Sequence, residues 1–224
     1  MHSVWVIAGN KGGVGKSVLC LAFAEWLQRQ SKTISILEGD IHNPDVALRL
    51  CTRFQTSRID LHYEKGWQTF ADLLIERSGT DVIVNLPDAL NENALRYFSS
   101  FEKLASALSF NVKMLFCINT LADGLHIYKQ AAKDFDCIPV KNLYFGKLGE
   151  FSKFDGLYDG HNAILIPALN RRSMQLFKDT DLSFSEYINQ SENLGSNSLF
   201  NKYIIAEWLS TACDSFDDVL CADI

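Results

Sequence analysis

The sequence predicts an α/β fold in which a mostly parallel, twisted sheet carries helices on both faces. Short apolar runs alternate along the chain with longer stretches of helical periodicity, as in successive βαβ units. The short runs are apolar at consecutive positions, which is typical of parallel strands buried on both faces. The first run leads through a glycine-rich turn directly into a helix. Right-handed crossovers between such strands distribute the helices over the two faces of one sheet.

The clearest elements come at the start of the chain. Val4–Ala8 (VWVIA) is an apolar run ended by a glycine, and we predict a buried strand there. Lys16–Gln30 is apolar on nearly every side in its first turns, which indicates a buried helix. Thr33–Leu37 is predicted as the second strand. The short helix Asp45–Leu50 follows, because an asparagine and a proline before it resemble an N-cap and N1 pair.

The later elements continue the same alternation. Asp81–Leu86 (DVIVNL) is a clear strand, and Pro87 closes it. Further strands are predicted at Arg58–His62, Val112–Ile118, Asn142–Leu148 and Ala163–Pro167, and further helices at Gly66–Arg77, Asn91–Leu108, Ala122–Phe135, Ser173–Lys178 and Leu199–Phe216.

The composition is that of a globular domain. Of 224 residues, 47% are hydrophobic and 12% aromatic, which suffices for a full core and excludes disordered and collagen-like chains. The net charge of −6 argues against a surface that coats nucleic acid. The polar stretches Asp155–Asn162 and Asn189–Asn197 are too short for linkers, so we expect one domain over residues 1–224.

The cysteines and the apolar runs indicate a cytoplasmic protein. The N-terminus has no basic flank before a long apolar core, and no apolar run reaches the length of a membrane helix. The six cysteines form no C-x-x-C pair and have no metal-ligand spacing, so we expect reduced thiols and no metal cluster. They are Cys20, Cys51, Cys117, Cys137, Cys213 and Cys221.

The segment Asn10–Ser17 (NKGGVGKS) carries the clearest chemical signal. It follows a strand and opens a helix, which is the context of a phosphate-binding P-loop. Lys16 would reach the β- and γ-phosphates, and the Ser17 hydroxyl would ligate Mg²⁺. The general pattern has a glycine where Asn10 stands. The backbone N–H groups that would surround the phosphates belong to Gly12, Gly13, Val14, Gly15, Lys16 and Ser17.

Lys11 narrows the class of protein. A second lysine at the start of the loop resembles the deviant Walker A motif, KGGxGK[ST], of the MinD/ParA group of ATPases, which are SIMIBI-like P-loop NTPases. This resemblance implies that two protomers enclose two ATP molecules and that Lys11 reaches the nucleotide of the partner protomer. ATP would then drive homodimerisation. A second ammonium beside the triphosphate would stabilise charge that develops during transfer.

The resemblance extends to the first switch segment. The family has D-x-D after its second strand, and the later aspartate lies near the attacking water. This chain has Glu38-Gly39-Asp40 there. Asp40 therefore joins Lys11 and Lys16 as a catalytic candidate, and Glu38 supplies a longer carboxylate at the other position.

The second switch segment departs from the family pattern. The strand that ends in D-x-P reads Asn85-Leu86-Pro87, with an amide where the family has an aspartate near Mg²⁺. An amide accepts a hydrogen bond from metal-bound water but brings no negative charge. We therefore expect weak magnesium binding and slow hydrolysis, with Glu38 or Asp88 as compensating carboxylates and faster turnover in Asn85→Asp. The predicted metal site consists of Ser17, Glu38, Asp40 and Asn85.

The nucleotide base and further partners are less sharply defined. The chain has no N/T-K-x-D guanine motif, which favours ATP. In the MinD/ParA group, residues after the late strands contact the adenine, and this resemblance gives Lys147 and either Ala168 or Leu169 as candidates. Asn119, at the end of an earlier strand, is a candidate for the lining of the cleft. DNA is a possible partner, through a basic group that consists of Arg171, Arg172, Lys178 and Lys202.

The end of the chain shows no membrane anchor. Its helix is followed by an acidic end, which anionic lipid would repel. We expect its aromatic stripe to pack on the domain instead. The stripe consists of Phe200, Tyr203, Ile204, Trp208 and Ala212.

Three classes of function fit these observations. The first is a MinD/ParA-like ATPase switch with an unidentified partner protein, in plasmid or DNA partition, stability or transfer. The second is an ATP-dependent synthetase or kinase on the same fold, which as a rule lacks a lysine equivalent to Lys11. The third is a nucleotide-binding module with little or no hydrolysis, which Asn85 favours.

Overall fold

A seven-stranded sheet forms the centre of the computed structural model, which describes residues 2–87, 92–120, 122–156, 162–190 and 196–221. Its strands are β1 (His2–Gly9), β2 (Ile34–Glu38), β3 (Gln55–Arg58), β4 (Asp81–Asn85), β5 (Phe110–Ile118), β6 (Cys137–Asn142) and β7 (Ile164–Ile166). They pair in parallel in the order β3-β2-β4-β1-β5-β6-β7. The predicted fold class is confirmed.

Helices connect the strands and cover both faces of the sheet. They are α1 (Lys16–Arg29), α2 (Asp45–Leu50), α3 (Glu64–Glu76), α4 (Glu92–Ala107), α5 (Ala122–Asp134), α6 (Ser152–Asp155), α7 (Arg171–Lys178), α8 (Phe184–Asn189) and α9 (Ser196–Leu220). Helices α1, α2, α7, α8 and α9 pack on one face, and α3 to α6 pack on the other. Two 3-10 turns, Leu143–Phe145 and Leu148–Phe151, follow β6.

Side chains of β1 enter the cores on both faces, which explains why the strand is apolar at consecutive positions. Trp5 contributes to the core on the α1 side, and Val4 and Val6 contribute to the core on the α3 side. The ring of Phe23 lies 5.1 Å from that of Trp5 and 5.2 Å from that of Phe216, measured between centroids. These rings join α1, α9 and the sheet into one buried layer.

Strand β3 begins three residues before its predicted position. The prediction was Arg58–His62, which includes the apolar residues Ile59 and Leu61, but the paired residues are Gln55–Arg58. Strand β3 is an edge strand with one neighbour, so it does not need the apolar pattern of a central strand. Ile59 and Leu61 are buried on the α3 side, where Leu61 accepts a hydrogen bond of 2.9 Å from the Trp67 indole.

Strand β6 also lies earlier than predicted, because a proline and a lysine mask it. The prediction was Asn142–Leu148, whereas the strand is Cys137–Asn142 and includes Pro139, opposite Phe116 of β5. The Lys141 side chain is buried and its ammonium forms an ion pair with Asp155. A strand with these two residues does not have the apolar signature used for the prediction.

Helix α9 runs antiparallel to β7 and extends beyond its carboxyl end. Leu165 donates to the Ser215 hydroxyl, and the Trp208 indole donates to the carbonyl oxygen of Pro167, both at 2.7 Å. The first turns of α9 therefore lie beyond the strand. A residue eight positions before Trp208, such as Phe200, lies about 12 Å from it along the helix axis. Phe200 is 68% exposed there.

The predicted packing of the aromatic stripe of α9 is therefore only partly confirmed. Trp208 and Ala212 are buried and Ile204 packs on the core. Phe200 and Tyr203 are 68% and 69% exposed, so for them the prediction is wrong. The stripe is therefore buried only along the part of α9 that packs beside the sheet.

Within the described residues, no helix combines the length and the apolar character that a membrane span requires.

Candidate nucleotide-binding site

The predicted site residues follow three neighbouring strands at the carboxyl edge of the sheet. The glycine-rich loop follows β1, the first switch segment follows β2, and Asn85 is the last residue of β4. Strand β4 lies between β1 and β2, with Asn85 opposite both Ile7 and Glu38. The carboxyl edge of an open parallel sheet is the usual place for a ligand site.

The loop between β1 and α1 has the backbone that phosphate binding requires. Gly13 and Gly15 have φ angles of +76° and +102°, in the left-handed region that favours glycine. Gly15 is the N-cap of α1, and no side chain caps this helix end. The first N–H groups of α1 are therefore available to an anion.

A side chain that the sequence analysis missed holds this loop in place. The Asn142 amide nitrogen donates a hydrogen bond of 3.0 Å to the carbonyl oxygen of Val14. A Cβ atom on Gly15 would lie 2.3 Å from the same nitrogen. Asn142 ends β6, which was predicted as the start of a strand, and this error concealed its position beside the loop.

Six of the predicted site residues line one cleft of about 240 Å³. They are Gly13, Gly15, Lys16, Ser17, Asp40 and Asn85. Lys16 is 6% exposed and its ammonium lies 3.5 Å from the carbonyl oxygen of Lys11, at the start of the loop. The cleft is also lined by residues that the sequence analysis did not assign to it: Val18, Leu21, Asn43, Asp45, Arg49, Met174, Phe177 and Lys178.

Three other predicted residues belong to the loop but do not line this cleft. Lys11 is partly buried, Gly12 is exposed, and the Val14 side chain is buried in the core. Val14 thus anchors the loop by its side chain, and its carbonyl oxygen is held by Asn142. Asp88, which was considered as a compensating carboxylate, lies outside the described residues.

The Glu38 carboxylate is fully buried behind the cleft. One oxygen accepts hydrogen bonds from the Asn85 amide (2.8 Å) and from the backbone of Asp40 (3.0 Å). The other oxygen accepts from the backbone of Val46 (3.2 Å) and Ala47 (3.3 Å), in the first turn of α2. Burial raises the pKa of Glu38 to about 7, although these hydrogen bonds lower it. Glu38 therefore joins β4, the switch turn and α2.

Asn85 lines the cleft and has an unsatisfied side-chain oxygen. Its side chain is 1% exposed, and its nitrogen donates to Glu38. Its Oδ1 atom is buried without a hydrogen-bond partner. A buried amide oxygen without a partner is costly and is usually satisfied by a ligand or by ordered water.

Asp40 organises the switch turn and also faces the cleft. One carboxylate oxygen accepts backbone hydrogen bonds from His42 (3.2 Å) and Asn43 (3.0 Å). This side-chain turn fixes the carboxylate at the cleft wall. Asp40 is thus placed beside Lys16 and Ser17 in the same cavity.

Arg49 connects α2 to α7 on the far side of the cleft. Its guanidinium donates to the carbonyl oxygens of Leu182 (3.0 Å), Lys178 (3.2 Å) and Phe177 (3.4 Å). It also lies over the Phe177 ring, 4.7 Å from the centroid. Burial lowers the pKa of Arg49 below its ordinary value. These contacts hold α7 against the switch segment.

An apolar pocket of about 140 Å³ adjoins the cleft. Gly13, Gly15, Val18, Met174 and Lys178 line both cavities. Leu169, a predicted base contact, lines the apolar pocket, whereas Lys147, Ala168 and Asn119 do not. The other lining residues are Asn142, Tyr144, Phe145, Ile166, Pro167 and Trp208.

The basic residues considered for DNA do not form one exposed surface. Arg171 and Arg172 are exposed in the first turn of α7, while Lys178 lines the cleft at the other end of this helix. Lys202 is 7% exposed and its ammonium donates to the carbonyl oxygen of Gln190. Lys202 is therefore unsuitable for contacts with a phosphate backbone.

Neither a disulfide nor a protein-only metal cluster occurs at the site as the structure describes it. All six cysteines are free thiols. Within the part of the chain that the structure describes, no group of three His, Cys, Asp or Glu side chains could hold a metal ion.

The parallel sheet and the loop between β1 and α1 are those of a P-loop NTPase. The family model described as "ParA: NUBPL iron-transfer P-loop NTPase" matches residues 1–71. Over 157 residues the chain is 28% identical to Protein MobD of Acidithiobacillus ferrooxidans, and the match covers 69% of each chain.

Solved MinD structures have the same fold. The septum site-determining protein MinD from Pyrococcus horikoshii, solved with Mg-ADP, aligns with a TM-score of 0.64 at 11% identity, over 100% of this chain and 99% of that one. MinD from Aquifex aeolicus aligns with a TM-score of 0.57 at 15% identity, over 94% of both chains. The predicted resemblance to the MinD/ParA group is confirmed: a ParA model matches residues 1–71, and the chain has the fold of the solved MinD structures.

Proposed function

We propose that residues 1–224 form a single domain that binds Mg·ATP, closes as a homodimer and reopens after slow hydrolysis to ADP and phosphate. The observation that carries this proposal is one cleft that contains the open N-terminus of α1, Lys16, Ser17 and Asp40, beside an apolar pocket. The helix end and the Lys16 ammonium suit a triphosphate. The apolar pocket suits a nucleotide base.

The donor set also fits a magnesium ion. Hard oxygen ligands are present in the Ser17 hydroxyl and the Asp40 carboxylate, and the unpartnered Asn85 oxygen would accept a hydrogen bond from a metal-bound water. When bound, the ion would neutralise phosphate charge. Lys16 would hold the phosphates, Asp40 would orient the attacking water, and Glu38 would position Asn85 rather than bind the metal.

The cellular role that we propose rests on the resemblance to the MinD/ParA group. The switch would act in plasmid or DNA partition, stability or transfer, through a partner protein that reads the closed dimer. DNA contact would fall to Arg171 and Arg172 alone. The six free thiols favour a reducing compartment, and we assign the protein to the cytoplasm.

A nucleotide-binding module with little hydrolysis is the second candidate. Asn85 favours it, because an amide replaces the carboxylate of the family pattern and the Glu38 carboxylate is buried and fully hydrogen-bonded. Phosphate release measured on Mg·ATP separates the two candidates. A closed dimer without phosphate release would identify the module.

Lys11→Ala is expected to abolish dimerisation by ATP. Light scattering of the wild type should give the mass of a dimer in Mg·ATP and of a monomer in Mg·ADP, because Lys11 of each protomer would contact the nucleotide of the other. Lys11→Ala should stay monomeric in both. Lys129→Ala, an exposed lysine of α5 on the opposite face, is the matched control. A monomeric wild type in both nucleotides would refute the proposed switch.

Lys178→Met is expected to weaken ATP binding by about tenfold, the loss of one contact of about 1.4 kcal/mol. Lys178 is the charged residue common to the lining of the cleft and of the apolar pocket, where the α-phosphate or the ribose would lie. Binding of inorganic tripolyphosphate should change little. Calorimetry with both ligands checks this, with Lys129→Met as the control. Equal losses for both ligands would instead place Lys178 at the terminal phosphates.

A further inference from the structure

Two carboxylates line the nucleotide cleft although position 85 carries an amide. Of the described residues that line it, Asp40 and Asp45 are acidic. One Asp40 oxygen is occupied by two backbone N–H groups of the switch turn. Glu38, the other acidic residue of this segment, is fully buried and does not line the cleft. Among the described residues, Asp45 is thus a further acidic group at the cleft.

We infer that Asp45 supplies the acidic group of the magnesium site that Asn85 lacks, and holds a water of the metal shell from the first turn of α2. This inference rests on the proposed function and adds one residue to it. Asp45 is exposed and is the first residue of α2, and its backbone N–H donates to the carbonyl oxygen of Asn43 at 2.8 Å. Its carboxylate is therefore accessible from the cleft.

The buried Glu38 carboxylate contacts both the start of α2, where Asp45 lies, and the Asn85 side chain. Glu38 accepts from the two residues that directly follow Asp45, Val46 and Ala47, through one oxygen. Through the other oxygen it accepts from the Asn85 amide at 2.8 Å. The start of α2 and the Asn85 side chain are thus fixed to the same group. Glu38 acts as the positioning residue for both.

The Asn85 oxygen is independent evidence for a ligand at this point. It is buried, it has no hydrogen-bond partner, and its residue lines the same cleft as Asp45. The missing partner must be a donor, which a water bound to a cation provides. The Asp45 carboxylate, which lines the same cleft, would then balance the charge of that cation.

Arg49 lies one helical turn after Asp45 and also lines the cleft. The Arg49 guanidinium is occupied by three carbonyl oxygens of the α7 segment. Burial lowers the pKa of Arg49, and the negative charge of Asp45 opposes this shift, so the two charges interact. Because Arg49 donates to carbonyl groups, the Asp45 carboxylate stays available for a cation.

The test compares Asp45→Asn with Asp72→Asn, a matched change at an exposed aspartate of α3 on the other face. ADP affinity is measured by calorimetry with Mg²⁺ and with EDTA. We expect Asp45→Asn to reduce the gain in ADP affinity from Mg²⁺ by about 10- to 100-fold, the usual effect of losing an outer-shell partner of a metal. Affinity in EDTA should stay at the wild-type value, and Asp72→Asn should behave as the wild type.

A second readout separates a metal role from a purely structural one. Mn²⁺ bound together with ADP is followed by electron paramagnetic resonance, and Asp45→Glu, which keeps the charge, should recover part of the Mn²⁺ affinity lost in Asp45→Asn. An unchanged Mg²⁺ effect in Asp45→Asn would overturn the inference and leave the proposed function intact. A wild type that binds no ADP with or without Mg²⁺ would overturn both.

Discussion

Asn85→Asp is expected to destabilise the protein by about 2–4 kcal/mol at pH 8 and by much less at pH 5. The Asn85 amide donates to the buried Glu38 carboxylate at 2.8 Å. An aspartate would place a second carboxylate at hydrogen-bond distance from the first. Neither could donate to the other in the ionised form, and the like charges would repel each other in a buried site.

The pH dependence follows from the direction of the Glu38 pKa shift. Burial raises this pKa from 4.5 to about 7 in the folded protein. The folded state therefore binds more protons than the unfolded state between these values, and the Glu38 contribution to stability falls as the pH rises from about 4.5 to about 7. A second buried carboxyl group raises the pKa of the pair further, so the loss of stability in Asn85→Asp grows with pH.

The double variant Glu38→Gln/Asn85→Asp exchanges the amide and the carboxylate. The amide nitrogen introduced at position 38 could then donate to the carboxylate introduced at position 85, while the amide oxygen accepts from α2. We expect urea unfolding at pH 5 and pH 8 to show part of the stability recovered in the double variant, because the introduced amide nitrogen cannot accept the hydrogen bond that the Asp40 backbone donates to Glu38. Equal stability of Asn85→Asp and the wild type at pH 8 would contradict the buried pairing. The double variant is also the sharper test of the expectation that an aspartate at position 85 accelerates turnover.

Gly15→Ala is expected to lower the stability by about 3 kcal/mol, and more than Gly13→Ala, for which about 1 kcal/mol is expected. Both residues have positive φ. A Cβ on Gly13 meets nothing within 4 Å, whereas a Cβ on Gly15 would lie 2.3 Å from the Asn142 amide nitrogen. Asn142 would have to move and release its hydrogen bond to Val14.

The same substitution should weaken nucleotide binding. Gly15 opens α1, and displacement of the loop by a few tenths of an ångström misdirects its N–H groups. Loss of one charge-assisted hydrogen bond, about 1.5–3 kcal/mol, lowers ATP affinity by about 10- to 100-fold.

The loss of stability is measured by thermal unfolding and the loss of ATP affinity by calorimetry, on the same set of glycine variants. Gly149→Ala is the neutral control, because Gly149 lacks a positive φ and its Cβ would meet nothing within 4 Å. Gly15→Ala combined with Asn142→Ala should recover the part of the stability loss that comes from steric overlap. If Gly13→Ala and Gly15→Ala behave alike, Asn142 does not constrain the loop.

The sequence identifies those parts of the fold and site that depend on local chemistry. The loop around Lys16 and the buried strand after His2 have signatures that require no knowledge of neighbours. Strand β6 could not be placed, because it includes the buried Lys141, whose ammonium forms an ion pair with Asp155 in α6. Polar residues that are buried by distant partners are not visible in hydrophobic periodicity.

The site residues divide in the same way, into those that the local sequence identifies and those that depend on packing between distant segments. Asp40 and Asn85 were found because their segments resemble the switch motifs of the MinD/ParA group, and the structure places both residues at the carboxyl edge of the sheet. Asn142, Lys178 and Arg49 were missed as site residues, because the packing of β6, α7 and α2 brings Arg49 and Lys178 to the cleft and Asn142 to the apolar pocket. The burial of Glu38 was likewise not predictable, since its four donors come from three separate segments.

The contacts of Arg49 make the two ends of the ligand site mechanically dependent. Helix α2 lines the cleft through Asp45 and Arg49, and α7 lines the apolar pocket through Met174 and Lys178. The Arg49 guanidinium connects the two helices by its hydrogen bond to the carbonyl oxygen of Lys178. If the loss of the γ-phosphate moves α2, then α7 must follow or these hydrogen bonds must break. With the proposed function, the rate of product release would then depend on the state of the switch, so that the Arg49 contacts would couple dimer reopening to nucleotide exchange.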